Sequence, residues 1–477
     1  MAQKNETPVL IVSLLLTLAL LGGGAWWVLN RFAPGALTPG AQNSTATNGN
    51  GDSDSPQNAS NTPTQERLSS GERVLFAETS PEKQAGVEAI ASGNFEQAVS
   101  DLEAALQANR NDPEALIYLN NAQIGDQTAY SIAVPVPAAT SANPALEILR
   151  GVAQAQTEIN QAGGINGVPL KVLIANDDND PQVSRQVAEA LTENSEVLGV
   201  VGHFGSEATL AAAEIYQNSG LVMISPTSTS MQLSEVGNYV FRTVPSDRFT
   251  AAALSRYMVN TLQAQNAAIY FNSESDYSQS LKDEFTTALY GDGGQILAEF
   301  DLADPAFSAA DTLQQAASQD AEVLVLIANT ATLDQALQVV TVNRGQLRLL
   351  GGDSIYNPKT LQVGGEAAVD MVVAVPWHIL SDPQAAFVQS SRNFWGGDVN
   401  WRTAMAHDAT QALVAGLKSN PTREGIEQTL SASNFATEGA TGTIRFLPSG
   451  DRNQAEQLVI VEPGSRSGYG YDFVPVQ

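Results

Sequence analysis

The sequence predicts an α/β protein of two lobes, each built on a mostly parallel sheet with helices on both faces. Three observations carry this. Short runs rich in Val, Ile and Leu recur at residues 130–134, 170–175, 197–201, 221–224, 267–271, 322–327, 347–350 and 371–375. Helical segments at 144–161, 181–192, 208–217, 250–262 and 278–289 fall between them. Strands without a polar face that alternate with helices are strands covered on both sides, as in parallel sheets. The stretch from 128 to 477 is too long for one sheet with one core, so two lobes are expected, the first at about 128–245 and 377–443 and the second at about 246–376 and 444–477.

Three further segments precede the lobes. Residues 9–29 form an uncharged, mostly apolar run of 21 residues, enough for a helix to span a hydrocarbon core, with Trp26 and Trp27 where interfacial aromatics belong. Residues 1–32 therefore read as a transmembrane anchor. A cleaved signal peptide, with Gly23 and Ala25 as the small residues before the cut, is the competing reading. Residues 33–68, poor in large apolar side chains and rich in Asn, Ser, Thr, Gly and Pro, read as a disordered tether of about 30 to 35 Å average reach.

Residues 69–127 read as a short all-α segment, with three amphipathic helices between 81 and 123 broken at Gly93-Asn94 and at 109–113. Gly93, Phe95, Ala98, Leu102, Ala105 and Leu106 follow a tetratricopeptide-like spacing, and Pro113 stands near the start of a next repeat. An ordinary helical hairpin fits the same residues. Either way a single repeat leaves an apolar face uncovered, so the segment should dock on the lobes or on another chain.

Composition removes several functional classes. There are 51 acidic residues against 23 basic ones and a formal charge of −28, which repels nucleic-acid backbones. Cysteine is absent, and with it disulfides, thiol nucleophiles and thiolate metal sites. Neither a GxSxG elbow nor a phosphate-binding P-loop is present. His203, His378 and His407 are far apart in sequence, so neither a metal nor another cofactor is expected. The run Asp177-Asp178-Asn179-Asp180 begins like a calcium loop, but Pro181 occupies a ligand position; a helix N-terminal turn fits better.

In open parallel sheets ligands bind beyond the carboxyl ends of strands, which directs attention to three loops. Gly202-His203-Phe204-Gly205-Ser206 opens a helix, with Ser206 placed as its N-cap and free backbone N–H groups suited to a carboxylate. Residues 225–230 put five hydroxyls in six positions, more than a turn alone requires. Gly351-Gly352-Asp353 ends a strand with a carboxylate, a common feature of solvated turns as well. A Ser206-His203-acid hydrolase is a weak alternative, since a serine at a helix cap without an elbow is not presented for attack.

Taken in order, these loops resemble the type I periplasmic solute-binding proteins, particularly the leucine/isoleucine/valine-binding branch, over residues 130–462. The matching pieces are AGGINGV (162–168), GHFGS ending at Ser206, MISPTST (223–229), FRTVP (241–245) and FLPSGD (446–451). The resemblance implies a non-catalytic receptor for a small amino acid, working outside the cytoplasmic membrane in ABC-type transport or ligand sensing. It places the ligand carboxylate on Ser206 and Thr229, the ammonium on the Thr227 carbonyl and Asp353, and a tyrosine of the opposite lobe at Tyr277. It implies closure about three crossings between the lobes. Residues 135–143 depart from the pattern by lacking its glycine turn and aromatic, which bears on side-chain specificity. A permease or signalling partner could engage the helical segment. A scaffold with a degenerate receptor domain is the alternative from another class.

Overall fold

The computed structural model describes residues 62–476. The expected membrane anchor and most of the expected tether lie outside the described residues. Residues 62–68, assigned by composition to the tether, are ordered: a 3-10 turn at Thr64–Arg67 leads into β1 (Leu68–Ser69), which pairs antiparallel with the third strand. The anchor of this turn is Arg67, 2% exposed, whose guanidinium donates to Asp178 at 2.6 Å. A polar stretch thus becomes part of the fold through one buried ion pair.

Three helices follow, α1 (Pro81–Ala91), α2 (Phe95–Ala108) and α3 (Pro113–Ile124). Each begins with a capping side chain, Ser80, Asn94 and Asp112, that accepts from the backbone N–H three residues on. Lys83 is buried between Glu114 (2.6 Å) and Asp112 (2.9 Å). The apolar face does not stay open. Phe76, Val87, Leu102, Ile117 and Tyr118 join the same core as Ile132, Leu149 and Val172 of the first lobe. Asn121 fixes the seat, its amide donating to the Val172 carbonyl at 2.7 Å and its oxygen accepting from Val172 N–H at 3.1 Å.

The first sheet then forms from β2 (Tyr130–Val136), β3 (Leu170–Asn176), β4 (Val197–Val201), β5 (Val222–Ser225) and β6 (Val240–Arg242), in the order β1-β3-β2-β4-β5-β6 and parallel apart from β1. Its intervening helices are α4 (Ala142–Gln161), α5 (Pro181–Glu193) and α6 (Ser206–Ser219).

The chain crosses once to α7 (Asp247–Arg256) and the second sheet, whose parallel part comprises β7 (Asn266–Phe271), β8 (Gln295–Asp301), β9 (Val323–Ile327), β10 (Arg348–Gly351) and β11 (Val372–Val375). Between them run α8 (Asp276–Asp292), α9 (Ala309–Ser318) and α10 (Leu333–Asn343). A second crossing returns the chain to α11 (Ala386–Trp395), α12 (Trp401–Ser419), α13 (Arg423–Leu430) and the hairpin β12 (Thr437–Gly439) and β13 (Gly442–Ile444). A third carries it back to β14 (Gln457–Pro463) and β15 (Tyr471–Pro475), which extend the second sheet antiparallel.

One close contact matters for the site. Helix α12 lies against α4 at Gly151, where an added Cβ would stand 2.2 Å from the Thr403 carbonyl oxygen. Only a bare backbone lets the helices approach this far, and the approach brings the first turn of α12 to the space between the lobes.

Candidate functional site

The loop after β4 is braced from behind. His203 is fully buried, its Nδ1 2.6 Å from Asp177 and its Nε2 3.0 Å from the Tyr216 hydroxyl. With both ring nitrogens engaged there and the Ser206 Oγ accepting from Ser230 N–H (3.4 Å), the His203 imidazole activates no serine, and the hydrolase alternative is removed. The acidic run is likewise structural: Asp180 caps α5, Asp178 holds Arg67 and Asp177 holds His203. No cluster of metal-ligating side chains occurs among the described residues.

Ser206 is not the N-cap expected of it. Gly205 takes that place, its N–H fixed on Asn179 Oδ1 (2.9 Å) and its carbonyl accepting from Thr209 N–H (2.9 Å), so the helix begins one residue sooner. Ser206 stands in the first turn of α6, where backbone N–H groups lack intrahelical partners. The hydroxyl-rich loop after β5 folds onto this turn through Thr227, whose Oγ1 donates to the Phe204 carbonyl at 2.8 Å. Arg242, buried to 1% exposure, secures the loop by donating to the Ser230 carbonyl (2.7 Å) and pairing with Asp451 (2.6 Å) across the third crossing.

The opposite wall comes from the second lobe. Tyr277, in the first turn of α8, donates its hydroxyl to Asp353 Oδ1 at 2.7 Å. Gly352 makes room for this bond, because a Cβ there would meet the tyrosine oxygen at 2.6 Å. Between the walls lies a cleft of about 370 Å³ lined by Ser206, Thr227, Tyr277 and Asp353 together with Phe204, Asn329, Trp401 and Arg402. That volume sits at the small end of small-molecule sites. Thr229 is not in the lining; it is buried behind the loop, its carbonyl accepting from Asp247 N–H at 2.9 Å. A second cavity of about 290 Å³, near Tyr356, His378 and Arg466, takes no residue from the three loops.

Two lobes, three crossings and a polar cleft between the strand ends meet a clear set of relatives. A family described as periplasmic binding protein matches residues 131–464. The chain belongs to the periplasmic binding protein family. Its members of this type are non-catalytic solute receptors. The leucine-specific-binding protein of Salmonella typhimurium is 27% identical over 309 residues, covering 63% of this chain and 82% of the relative. An amino acid binding protein of Pseudomonas aeruginosa is 37% identical over 135 residues, 28% of this chain and 36% of that relative's length. The crystal structure of a leucine binding protein from Thermotoga maritima superposes with a TM-score of 0.64 at 21% identity, covering 72% of this chain and 98% of that one. The matched family region begins after the three N-terminal helices, which are helices packed on the first lobe; their tetratricopeptide-like spacing finds no counterpart in these matches.

In this periplasmic binding protein the cleft carries opposed charges. Burial raises the Asp353 carboxyl above the usual range, against the nearby Arg402 charge and the Tyr277 hydrogen bond that both lower it. Deeper, burial pushes Asp247 up to about 7, and the neighbouring hydroxyls of Ser280 and Thr229 moderate this without forming a well-aligned hydrogen bond to it. The Glu456 carboxylate, also without a well-aligned hydrogen bond, is raised by burial and then by the fields of Asp353 and Asp247, with the Thr250 hydroxyl moderating the rise. Three acids in one low-dielectric region favour a cation among them.

Among the lining residues that the sequence pattern did not single out are Trp401 and Arg402. Nothing local marks them, since their segment shows no loop signature and follows Asp353 by nearly fifty positions. The departure at 135–143 does come to the site: Thr140 and Ser141 from this segment line the cleft and add hydroxyls rather than an aromatic.

Proposed function

We propose that the protein is an extracytoplasmic receptor that binds an amino acid in the interlobe cleft and delivers it to an ABC-type transporter or a signalling partner. The observation that carries this is the convergence of Ser206 and Thr227, beside a helix N-terminus of one lobe, with Tyr277 and Asp353 of the other around a single small cleft. Ser206 and the helix N-terminus beside it suit a carboxylate, and the Thr227 carbonyl with Asp353 suits an ammonium. Ligand contacts on both walls favour closure about the three crossings. Thr229, buried behind the same loop, is not among the contacts of this reading.

The receptor reading is tested by thermal shift and calorimetry of the purified protein against the twenty amino acids. At least one amino acid should bind, and its carboxamide should bind more weakly than the free acid. A neutral sugar bound tightly while every amino acid is silent would leave only the fold.

We further propose that residues 9–29 keep the receptor at the outer face of the membrane. No cysteine is available for a lipid anchor instead. The intact N-terminal segment should therefore remain in the membrane-bound protein, and a mature N-terminus near Trp26 found by mass spectrometry would rule the anchor out.

A further inference from the structure

The cleft contains a cation that the carboxylate and ammonium sites do not use. Arg402, in the first turn of α12, is 7% exposed and its Nε has no hydrogen-bond partner. Its guanidinium lies 4.3 Å from the Trp401 ring centroid and 6.0 Å from that of Phe204, held by aromatic faces rather than by an acid. No carboxylate among the described residues forms an ion pair with it. The two acids whose fields reach it most strongly have partners of their own: Asp353 accepts from Tyr277, and Glu147 has Arg150 at 3.6 Å and the Thr403 hydroxyl at 3.4 Å. A buried guanidinium left in this state is costly unless something negative completes it.

The walls agree with the charge. Among the residues lining the cleft there is no Val, Leu, Ile or Met; beyond Phe204, Gly205, Trp401 and Ala331 the lining is hydroxyl, amide, tyrosine, carboxylate and guanidinium. A branched aliphatic side chain would be desolvated here against polar groups that lose water and gain no hydrogen bond.

We infer that the ligand is an amino acid whose side chain carries a carboxylate, received by Arg402. The inference rests on the amino-acid reading above and names the third contact. Glu207 is the competing group on the same wall. Its Oε1 also lacks a partner, and its field adds to burial in raising the Asp276 carboxyl on the opposite lobe. A lysine side chain would suit Glu207, but Glu207 is partly exposed as a residue where Arg402 is 7% exposed and lies against two aromatic rings, so Arg402 is the charge more fully withdrawn from solvent.

Calorimetry with glutamate, glutamine, leucine, lysine and glutarate on the full chain tests this. Glutamate should bind about tenfold or more tightly than glutamine or leucine, because a charge-assisted hydrogen bond is gained. Arg402→Leu should erase that gap. Arg402→Lys, which keeps the charge but not the fork, should retain part of it, and serves if the leucine variant is poorly folded. Leucine or lysine bound more tightly than glutamate, or a glutamate preference unchanged in both variants, overturns the inference while leaving an amino-acid receptor. Glutarate bound as tightly as glutamate, with the loss in Arg402→Leu intact, removes the amino-acid reading and supports Arg402 as the anion contact.

Discussion

Asp353→Ala is expected to weaken amino-acid binding by about 2 to 4 kcal/mol, or some 30-fold to 1000-fold. The residue is 5% exposed, lines the cleft, and is fixed in direction by the Tyr277 hydroxyl. Removing it strands a ligand ammonium in a closed, poorly hydrated space and leaves the field of Arg402 opposed mainly by Glu147, so loss of attraction is joined by repulsion. Ser206→Ala should cost only about 1 to 2 kcal/mol, since backbone N–H groups at the start of α6 still hold the carboxylate. The free protein supplies an internal control. Burial raises the Asp353 carboxyl, so its ionised form weighs against the unliganded fold, and the alanine variant should unfold at no lower a temperature near neutral pH. Affinity lost without stability lost separates a ligand contact from damage to the fold. Calorimetry in which Asp353→Ala binds like the parent would remove the ammonium from this position.

Asp247→Asn is expected to stabilise the protein at pH 8 by on the order of 3 to 4 kcal/mol, and by about 2 to 3 kcal/mol less at pH 5. The sign follows from the direction of the shift. Burial raises the carboxyl from 3.8 to about 7, so between those values the folded chain holds a proton that the unfolded chain has released. The cost is therefore absent below the lower value, grows as pH rises, and is complete above the higher one. Asp247 faces Ser280 and Thr229, the acids Asp353 and Glu456, the phenol of Tyr277, and one opposite charge, Arg242. Asn keeps the shape at the start of α7 without the charge. Urea unfolding of both proteins at the two pH values measures the difference; an equal gain at pH 5 and pH 8 would show that Asp247 is ionised throughout. Ligand should narrow the gap as well, because an ammonium beside Asp353 lowers the cost of the neighbouring negative charges.

Much of this molecule is written in short-range pattern. The apolar runs at 197–201 and 323–327 can be satisfied only inside a sheet covered on both faces, and they form β4 and β9. The punctuation at Gly93-Asn94 and 109–113 likewise sets the ends of α1 and α2, because caps act within one turn of chain. Ser206, Thr227 and Asp353 were accessible for the same reason, each standing in the loop or first helical turn that follows a strand, where parallel sheets put their ligands, whereas Tyr277 came only from the family resemblance.

Other features are settled by partners far off in sequence. Nothing in the polar residues before Leu68 announces order; Arg67 becomes structural because packing presents Asp178 to it, more than a hundred positions later. Thr229 has the same chemistry as Thr227, yet the loop's anchorage on Arg242 turns it away from the cleft. Arg402 stands locally as one charge at the start of a mostly buried helix. It comes to line the cleft only because bare backbone at Gly151 lets α12 approach α4 and bring its first turn to the space between the lobes. Local periodicity and capping are decided by free energies among residues a few positions apart. The side chains that share a desolvated space are decided by how whole elements pack, and that information is spread across the chain.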